Sequence, residues 1–244
     1  MSSNMRKTIL LIVFLILGFL FYLLPDFDLE YYQVFLTIAS FLFAIFAGFY
    51  ISRQGTRYSN IRDQITKFDG EMSAIFRQFG HLSITSQKQV KKIISKHYNK
   101  ILKEKSWDYH FINKSTTITD IHNLVHKYAP NKPLPSLKHL ALQRVLTALE
   151  NLQVIRKNMI ALHQERIPPF QWVVIILLSL ILLISLSLIP SQYNFSLDIL
   201  KSFFGTIVIG VIILLYEFDN LRFFEGTIGQ SSAEDILEIF KGKK

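Results

Sequence analysis

Four long apolar stretches mark the chain, at residues 8–24, 31–51, 170–189 and 199–216. A helix that crosses the hydrocarbon core of a bilayer needs about 20 apolar residues, with a usable range of about 17–25. Each stretch lies within that range, so the pattern predicts four transmembrane helices paired into two hairpins. Residues 25–30 turn the first pair and residues 190–198 the second. Lys201 sits near one end of the fourth stretch, where its ammonium is expected to snorkel to the interface. Arg6 and Lys7 precede the first stretch as they would in a secretory signal. That stretch is longer than a usual signal core and runs into Leu23-Leu24-Pro25-Asp26 without a small-residue cleavage pattern, so it reads as an uncleaved span.

Between the hairpins lies a polar insert, residues 52–169. Tyr58, Ile61, Ile65, Phe68, Met72, Ile75 and Phe79 recur in alternating steps of three and four, the signature of a helix with a narrow apolar seam. The seam predicts that the second span continues into the insert, with Gly55 as the point where it would loosen. A second amphipathic helix is predicted over 86–105, with Val90, Ile94, Tyr98 and Ile101 on one side, and a shorter one over 117–128. Pro130-Asn131-Lys132-Pro133-Leu134-Pro135 breaks the pattern, after which Ser136 is expected to cap a long helix ending before Pro168-Pro169. That helix carries its own seam of Ala141, Val145, Ala148, Leu152, Ile155, Met159 and Leu162, predicted to pack antiparallel on the first seam as a helical stalk. No alternation of period two is long enough to argue for a sheet. The expected class is all-α: a polytopic membrane protein with a first hairpin (1–51), a basic helical domain (52–169), a second hairpin (170–216) and a C-terminal segment (217–244).

Composition agrees with this layout. Half the residues are hydrophobic, only 18% are charged and the mean hydropathy is +0.29, whereas about a quarter of an ordinary soluble domain is charged. The net charge of +9 is unevenly placed: the insert has 20 Lys+Arg against 8 Asp+Glu, a net +12, while the first turn holds Asp26, Asp28 and Glu30. Positive residues close to span ends face the cytoplasm. Arg6, Lys7, Arg53, Arg57 and Arg166 agree on an orientation with both termini and the insert cytoplasmic, in the cell (inner) membrane. With no cysteine, disulfide frameworks, thiolate metal sites and cysteine nucleophiles are excluded.

Two stripes of small residues stand out: Ser40, Ala44 and Gly48 in the second span, and Ser202, Thr206 and Gly210 in the fourth. Small residues on one face let helices approach closely in lipid. They suit packing between spans two and four, or else a subunit interface or pore-facing surface, with Phe35, Phe41, Phe43, Phe46 and Phe49 packing around it or forming an apolar gate. The first three spans hold no ionisable residue, and glycine–proline breaks are absent, which argues against a coupled transporter but not against a passive pore. At the inner edge, Arg53, Arg57 and Arg62 after span two and Glu217, Asp219 and Arg222 after span four are candidates for a juxtamembrane ion-pair cluster.

Seven histidines invite a metal reading. His122 and His126 share a helix face near Asp120 and His110, but Asn123 stands where the metalloprotease signature needs Glu, so surface histidines are expected and no metal or other cofactor is assigned. Lys88, Lys91, Lys92, Lys96, Lys100, Lys103 and Lys105 form a basic run opposed only by Glu104. No nucleic-acid module accompanies it, and contact with lipid headgroups or an anion-attracting vestibule explains it better. No phosphate-binding glycine loop, nucleophile elbow or paired-carboxylate site is present, so no catalytic residue is assigned and the chain reads as a non-enzyme.

Three places carry a family resemblance: Tyr58-Ser59-Asn60-Ile61-Arg62 leading into Glu71-Met72-Ser73-Ala74-Ile75-Phe76-Arg77; Arg156-Lys157-Asn158-Met159 followed by Arg166-Ile167-Pro168-Pro169 and Trp172; and Glu217-Phe218-Asp219-Asn220-Leu221-Arg222-Phe223-Phe224-Glu225-Gly226. With its two-plus-two spans the chain resembles the bestrophin-like family of bacterial membrane proteins. The resemblance implies an all-helical homo-oligomer around a central anion pore, although no pore-neck or calcium-binding residue is carried over. The function expected is a passive, oligomeric, anion-conducting channel of the cytoplasmic membrane, its partners being the lipid bilayer, copies of itself and inorganic anions. The alternative is a non-conducting scaffold or sensor that recruits a protein through its helical domain.

Overall fold

A computed structural model describes residues 3–23, 32–105, 108, 110, 113, 115–128, 135–189, 195–222 and 228–241. Among the described residues the chain forms eight helices and no strand: α1 (Ser3–Leu23), α2 (Tyr32–Leu82), α3 (Ile84–Glu104), α4 (Thr117–Tyr128), α5 (Ser136–Gln164), α6 (Pro169–Ser187), α7 (Phe195–Asp219) and α8 (Ile228–Phe240). The protein is all-helical, as its periodicities predict. The acidic turn with Asp26, Asp28 and Glu30, the breaker residues 130–134 and the motif residues 223–226 lie outside the described residues. Among the described residues three helical stretches are long and apolar enough to cross a membrane, within Gln33–Leu82, Leu137–Ser187 and Phe195–Asp219, while the apolar part of α1, Thr8–Leu23, is shorter. The chain folds as two compact units, one of Met1–Thr56 with Arg166–Arg222 and one of Arg57–Glu165 with Phe223–Lys244.

In the first unit, Ala39, Phe43, Ala47 and Tyr50 of α2 pack with Ile175 and Leu182 of α6 and Val208 and Leu215 of α7. Around this core the large apolar residues face outward, among them Leu15, Phe19, Phe35, Phe41, Phe170, Ile184 and Ile207. A helix that is apolar all round and exposes its larger residues is suited to lipid rather than water. α1 packs along α7 through small residues. A Cβ added at Gly18 would stand 3.2 Å from the Ser202 hydroxyl, and one at Gly205 only 2.9 Å from a methyl of Leu17. Phe14 and Phe203 extend this contact with ring centroids 4.8 Å apart.

Lys201 departs from expectation. It does not snorkel: it is 3% exposed, donates to the carbonyl of Ile189 at 2.6 Å and lies 3.7 Å from the buried Asp198 carboxylate one turn earlier. A paired internal carboxylate satisfies the ammonium where an unpaired one would need water.

In the second unit the far half of α2 runs antiparallel to α5. Arg57 bonds the carbonyls of Leu162 and His163, and fourteen residues further along α2 Glu71 accepts from Asn151 at 2.7 Å. The two seams face inward as predicted: Ile61, Phe68, Met72, Ile75 and Phe79 are buried, as are Ala141, Val145, Ala148, Leu152, Ile155 and Met159. Each of the larger side chains among them, the alanines aside, contributes about 1.5–3 kcal/mol when fully buried. α2 does not break at Gly55 but is continuous from Tyr32 to Leu82. Pro135, not Ser136, occupies the cap position of α5, and Ser136 begins the helix. α3 starts at Ser83, whose hydroxyl accepts from the Ser86 N–H at 3.0 Å, and packs against both α4 and α8. α8 lies outside the predicted helices, although Ala233, Ile236 and Phe240, all buried, carry a short helical period. The Phe240 ring packs tilted against Phe76 with centroids 4.4 Å apart, and the Phe240 carbonyl accepts from Lys91.

Candidate functional site

In the first unit, three residues of the sequence motifs converge where α6 begins. Pro168 caps the helix and Pro169 occupies its first turn, where a missing N–H costs nothing and the fixed φ is already helical. The N–H of Ile167 still needs a partner, and one oxygen of Asp219 accepts it at 2.7 Å. The other oxygen takes the indole N–H of Trp172 at 3.4 Å. A carboxylate at a helix N-terminus is electrostatically favoured. Asp219 itself ends α7, a position unfavourable for an anion, so the start of α6 offsets what its own helix opposes. Next to it Leu221, buried, adopts a left-handed conformation with φ 55°. A cavity of about 760 Å³ opens beside this junction, with Trp172, Tyr216, Arg166 and Arg222 among its walls.

Of the juxtamembrane candidates, Arg53, Glu217, Asp219 and Arg222 belong to the first unit and Arg57 and Arg62 to the second. In the first unit Glu217 and Asp219 are buried, Arg53 is half-buried, and Arg222 is exposed with its guanidinium 5.5 Å from the centroid of the Tyr216 ring. In the second unit Arg62 is exposed and Arg57 is buried, donating from Nε to Leu162 O at 2.7 Å and from Nη2 to His163 O at 2.8 Å. A guanidinium on the last carbonyls of α5 complements the negative end of that helix. These helix-end roles of Asp219 and Arg57 could not be read from charge pattern alone.

The two small-residue stripes also separate. Ser202 is buried against Gly18 of α1, Gly210 lies 3.6 Å (measured from an added Cβ) from Leu10, and Thr206 is half-buried between them. Ser202 and Thr206 donate their hydroxyls to the carbonyls of Asp198 and Ser202, both at 2.7 Å. The α7 stripe therefore meets α1, where the sequence suggested span two. On α2, Ser40 is half-buried, Ala44 and Gly48 are exposed, and a Cβ at Gly48 would meet nothing within 4 Å. The buried face of α2 is the neighbouring one, through Ala39, Phe43 and Ala47.

The interior of the second unit is polar at two points. Asp69 of α2 accepts from the Tyr98 and Ser232 hydroxyls and so ties α3 and α8 to α2. Burial pushes the Asp69 carboxyl above its usual range, against the lowering effect of those two bonds, and burial likewise drives the Tyr98 phenol well up. His97 and His110 stack at 3.8 Å between ring centroids; His110 donates Nε2–H to the His97 carbonyl at 2.9 Å, and His97 Nδ1 lies 3.1 Å from the Thr117 hydroxyl. Burial holds His97 well below the ordinary imidazole value, reinforced by the neighbouring His110 and Arg156, and lowers His110 as well. His110 is thus tied to α3, while His122 and His126 are exposed with their rings edge-on at 4.6 Å. No group of three candidate metal ligands occurs among the described residues.

An all-helical chain with helices long enough to cross a bilayer, and with apolar side chains turned outward around them, is an integral membrane protein. Over residues 28–229 it matches the Bestrophin-like domain, and it belongs to that family. Comparison with curated proteins and with solved structures gives no match.

Proposed function

We propose that the chain is one subunit of a homo-oligomeric, passive, anion-conducting channel of the cell (inner) membrane. In this reading α1, α2, α6 and α7 are four spans, the second unit and both termini are cytoplasmic, and α2 lines the conduction path. The observation that carries the proposal is the open stripe of α2, Ala44 and Gly48, which no described residue of the same subunit covers. In lipid, uncovered small residues favour close approach of another helix or leave room for water and ions. The anion preference is supported by the insert's net +12, which raises the local anion concentration at the inner mouth. Family membership supports the same reading.

Purified protein reconstituted into liposomes is expected to pass halide above the level of empty vesicles and to run as an oligomer in detergent. A detergent-solubilised monomer, or no flux across several pH values and calcium levels, would overturn the channel. Gly48→Leu is expected to change assembly or flux; unchanged behaviour would return the stripe to a lipid-facing surface.

A further inference from the structure

The basic run on α3 is more than a solvated face. Lys92, Lys96 and Lys100 follow one another at the helical spacing of four and wall a cavity of about 450 Å³. Its opposite wall is the N-terminus of α4, with Ser115, Thr116 and Thr117. The stacked His97 and His110 also line it. Like charges four apart on a helix repel one another by a few tenths of a kcal/mol per pair. Among the described residues Lys100 alone of the three is offset, by Glu104 at 3.0 Å. Asp120 supplies the one carboxylate among the described lining residues, and it already accepts the Thr116 hydroxyl at 2.9 Å. Behind the histidine pair a small recess is lined by Arg156, whose buried Nε finds no acceptor among the described residues. Three ammonium groups and a helix N-terminus therefore converge on one concave surface.

We propose that this cavity is a binding site for a phosphate-bearing anion. The volume suits a ligand of several atoms rather than a bare halide. Lysines bind phosphate as point charges, and a helix N-terminus presents backbone donors and the positive end of its dipole to it. The site lies wholly within the second unit and is separate from the α2 stripe. Failure of halide flux would leave it untouched, and failure of the site would leave the channel untouched.

The test is calorimetric titration of inorganic pyrophosphate into the full-length protein in neutral detergent at fixed ionic strength. Saturable binding at one site per subunit is expected, weakened about tenfold or more by Lys92→Gln or Lys96→Gln, as loss of a charge-assisted contact implies. Lys96→Arg retains binding, and Lys103→Gln, on the same helix but outside the cavity, leaves it unchanged. No saturable binding would overturn the proposal, as would equal weakening by Lys103→Gln or equal displacement by chloride at the same concentration. The exposed lysines Lys92 and Lys96 can be replaced without opening the core, which an unchanged melting temperature verifies. Repeating the titration in nanodiscs of phosphatidylcholine with and without phosphatidylglycerol identifies the source of the phosphate. Suppression by phosphatidylglycerol assigns the site to a lipid headgroup, and unchanged binding assigns it to a soluble anion.

Discussion

Between Ala39 and Tyr50, α2 buries two alanines with Phe43 and Tyr50, while Phe41 and Phe49 stay exposed. Between Ile61 and Phe79 the same helix buries Ile61, Phe68, Met72, Ile75 and Phe79 and turns Arg62, Asp63 and Lys67 outward. One backbone geometry serves both stretches, so the difference lies in the surroundings. In water, cohesion comes from removing large apolar side chains from solvent. In lipid that force is absent, and close approach of small residues, with every polar group satisfied inside the protein, replaces it. Asp219, Ser202 and Lys201 illustrate the second rule, for each bonds a backbone group within the first unit.

Truncation in the water-facing regime should have the largest effect. Phe79→Ala removes a ring with no exposed surface and is expected to cost about 3–5 kcal/mol, read from thermal melting of the helical signal. A loss below about 1 kcal/mol would deny that the second unit has a tightly packed core.

The second experiment compares two glycines of the first unit. Gly205→Leu forces a side chain onto Leu17 and Leu183 and is expected to destabilise by about 1–3 kcal/mol. Gly48→Leu should leave the melting temperature of the isolated subunit unchanged, since nothing lies within 4 Å. Equal effects at both positions would erase the distinction between a packed and an open stripe.

Asp219→Ala leaves the buried Ile167 N–H and the Trp172 indole without their acceptor, a loss of about 1–3 kcal/mol. Asp219→Asn, which keeps an acceptor oxygen, should lose less. Emission of Trp172 in a Trp107→Phe background reports the change, shifting to the red as the indole loses its partner.

Acidity gives the smallest effect and separates the units by position of their histidines. His97 and His110 have folded values depressed below the ordinary 6.5, so the unfolded chain binds protons first as pH falls. Their contribution to stability is full above about 6.5 and is lost as pH drops from there toward the folded values. Asp69 is raised and acts in the opposite sense: its contribution is present below the ordinary carboxyl value of 3.8 and lost as pH rises through the folded one. The melting temperature should therefore fall on mild acidification, and His97→Phe should reduce the slope. A flat profile would place these imidazoles in solvent.

The helices were legible because their periods are local. The seams from Ile61 to Phe79 and from Ala141 to Met159 each repeat over several turns, and all their residues but the half-buried Ile65 are buried. The Pro-rich break and Pro168-Pro169 bracket α5 closely for the same reason. What escaped depends on partners distant in sequence. α8 is short, and its Ala233–Ile236–Phe240 period gains meaning only from Phe76 and Asp69, more than 150 residues earlier. Which face of α2 would be covered depended on α6 and α7, and the covered face is one residue away from the Ser40–Gly48 stripe that composition singled out. Asp219 was recognised as part of a motif, but its partners Ile167 and Trp172 lie 52 and 47 positions away.

Lys201 and Asp198 have a consequence for how the chain is made. They are three residues apart on one helix, so their partnership requires only that a turn of α7 form. A nascent segment carrying both presents no net charge from them to the insertion machinery, which penalises a lone lysine or aspartate at a span by about 2.5–3.5 kcal/mol at its centre. Asp198→Asn would be felt first as fewer correctly inserted chains and only afterwards as a weaker fold.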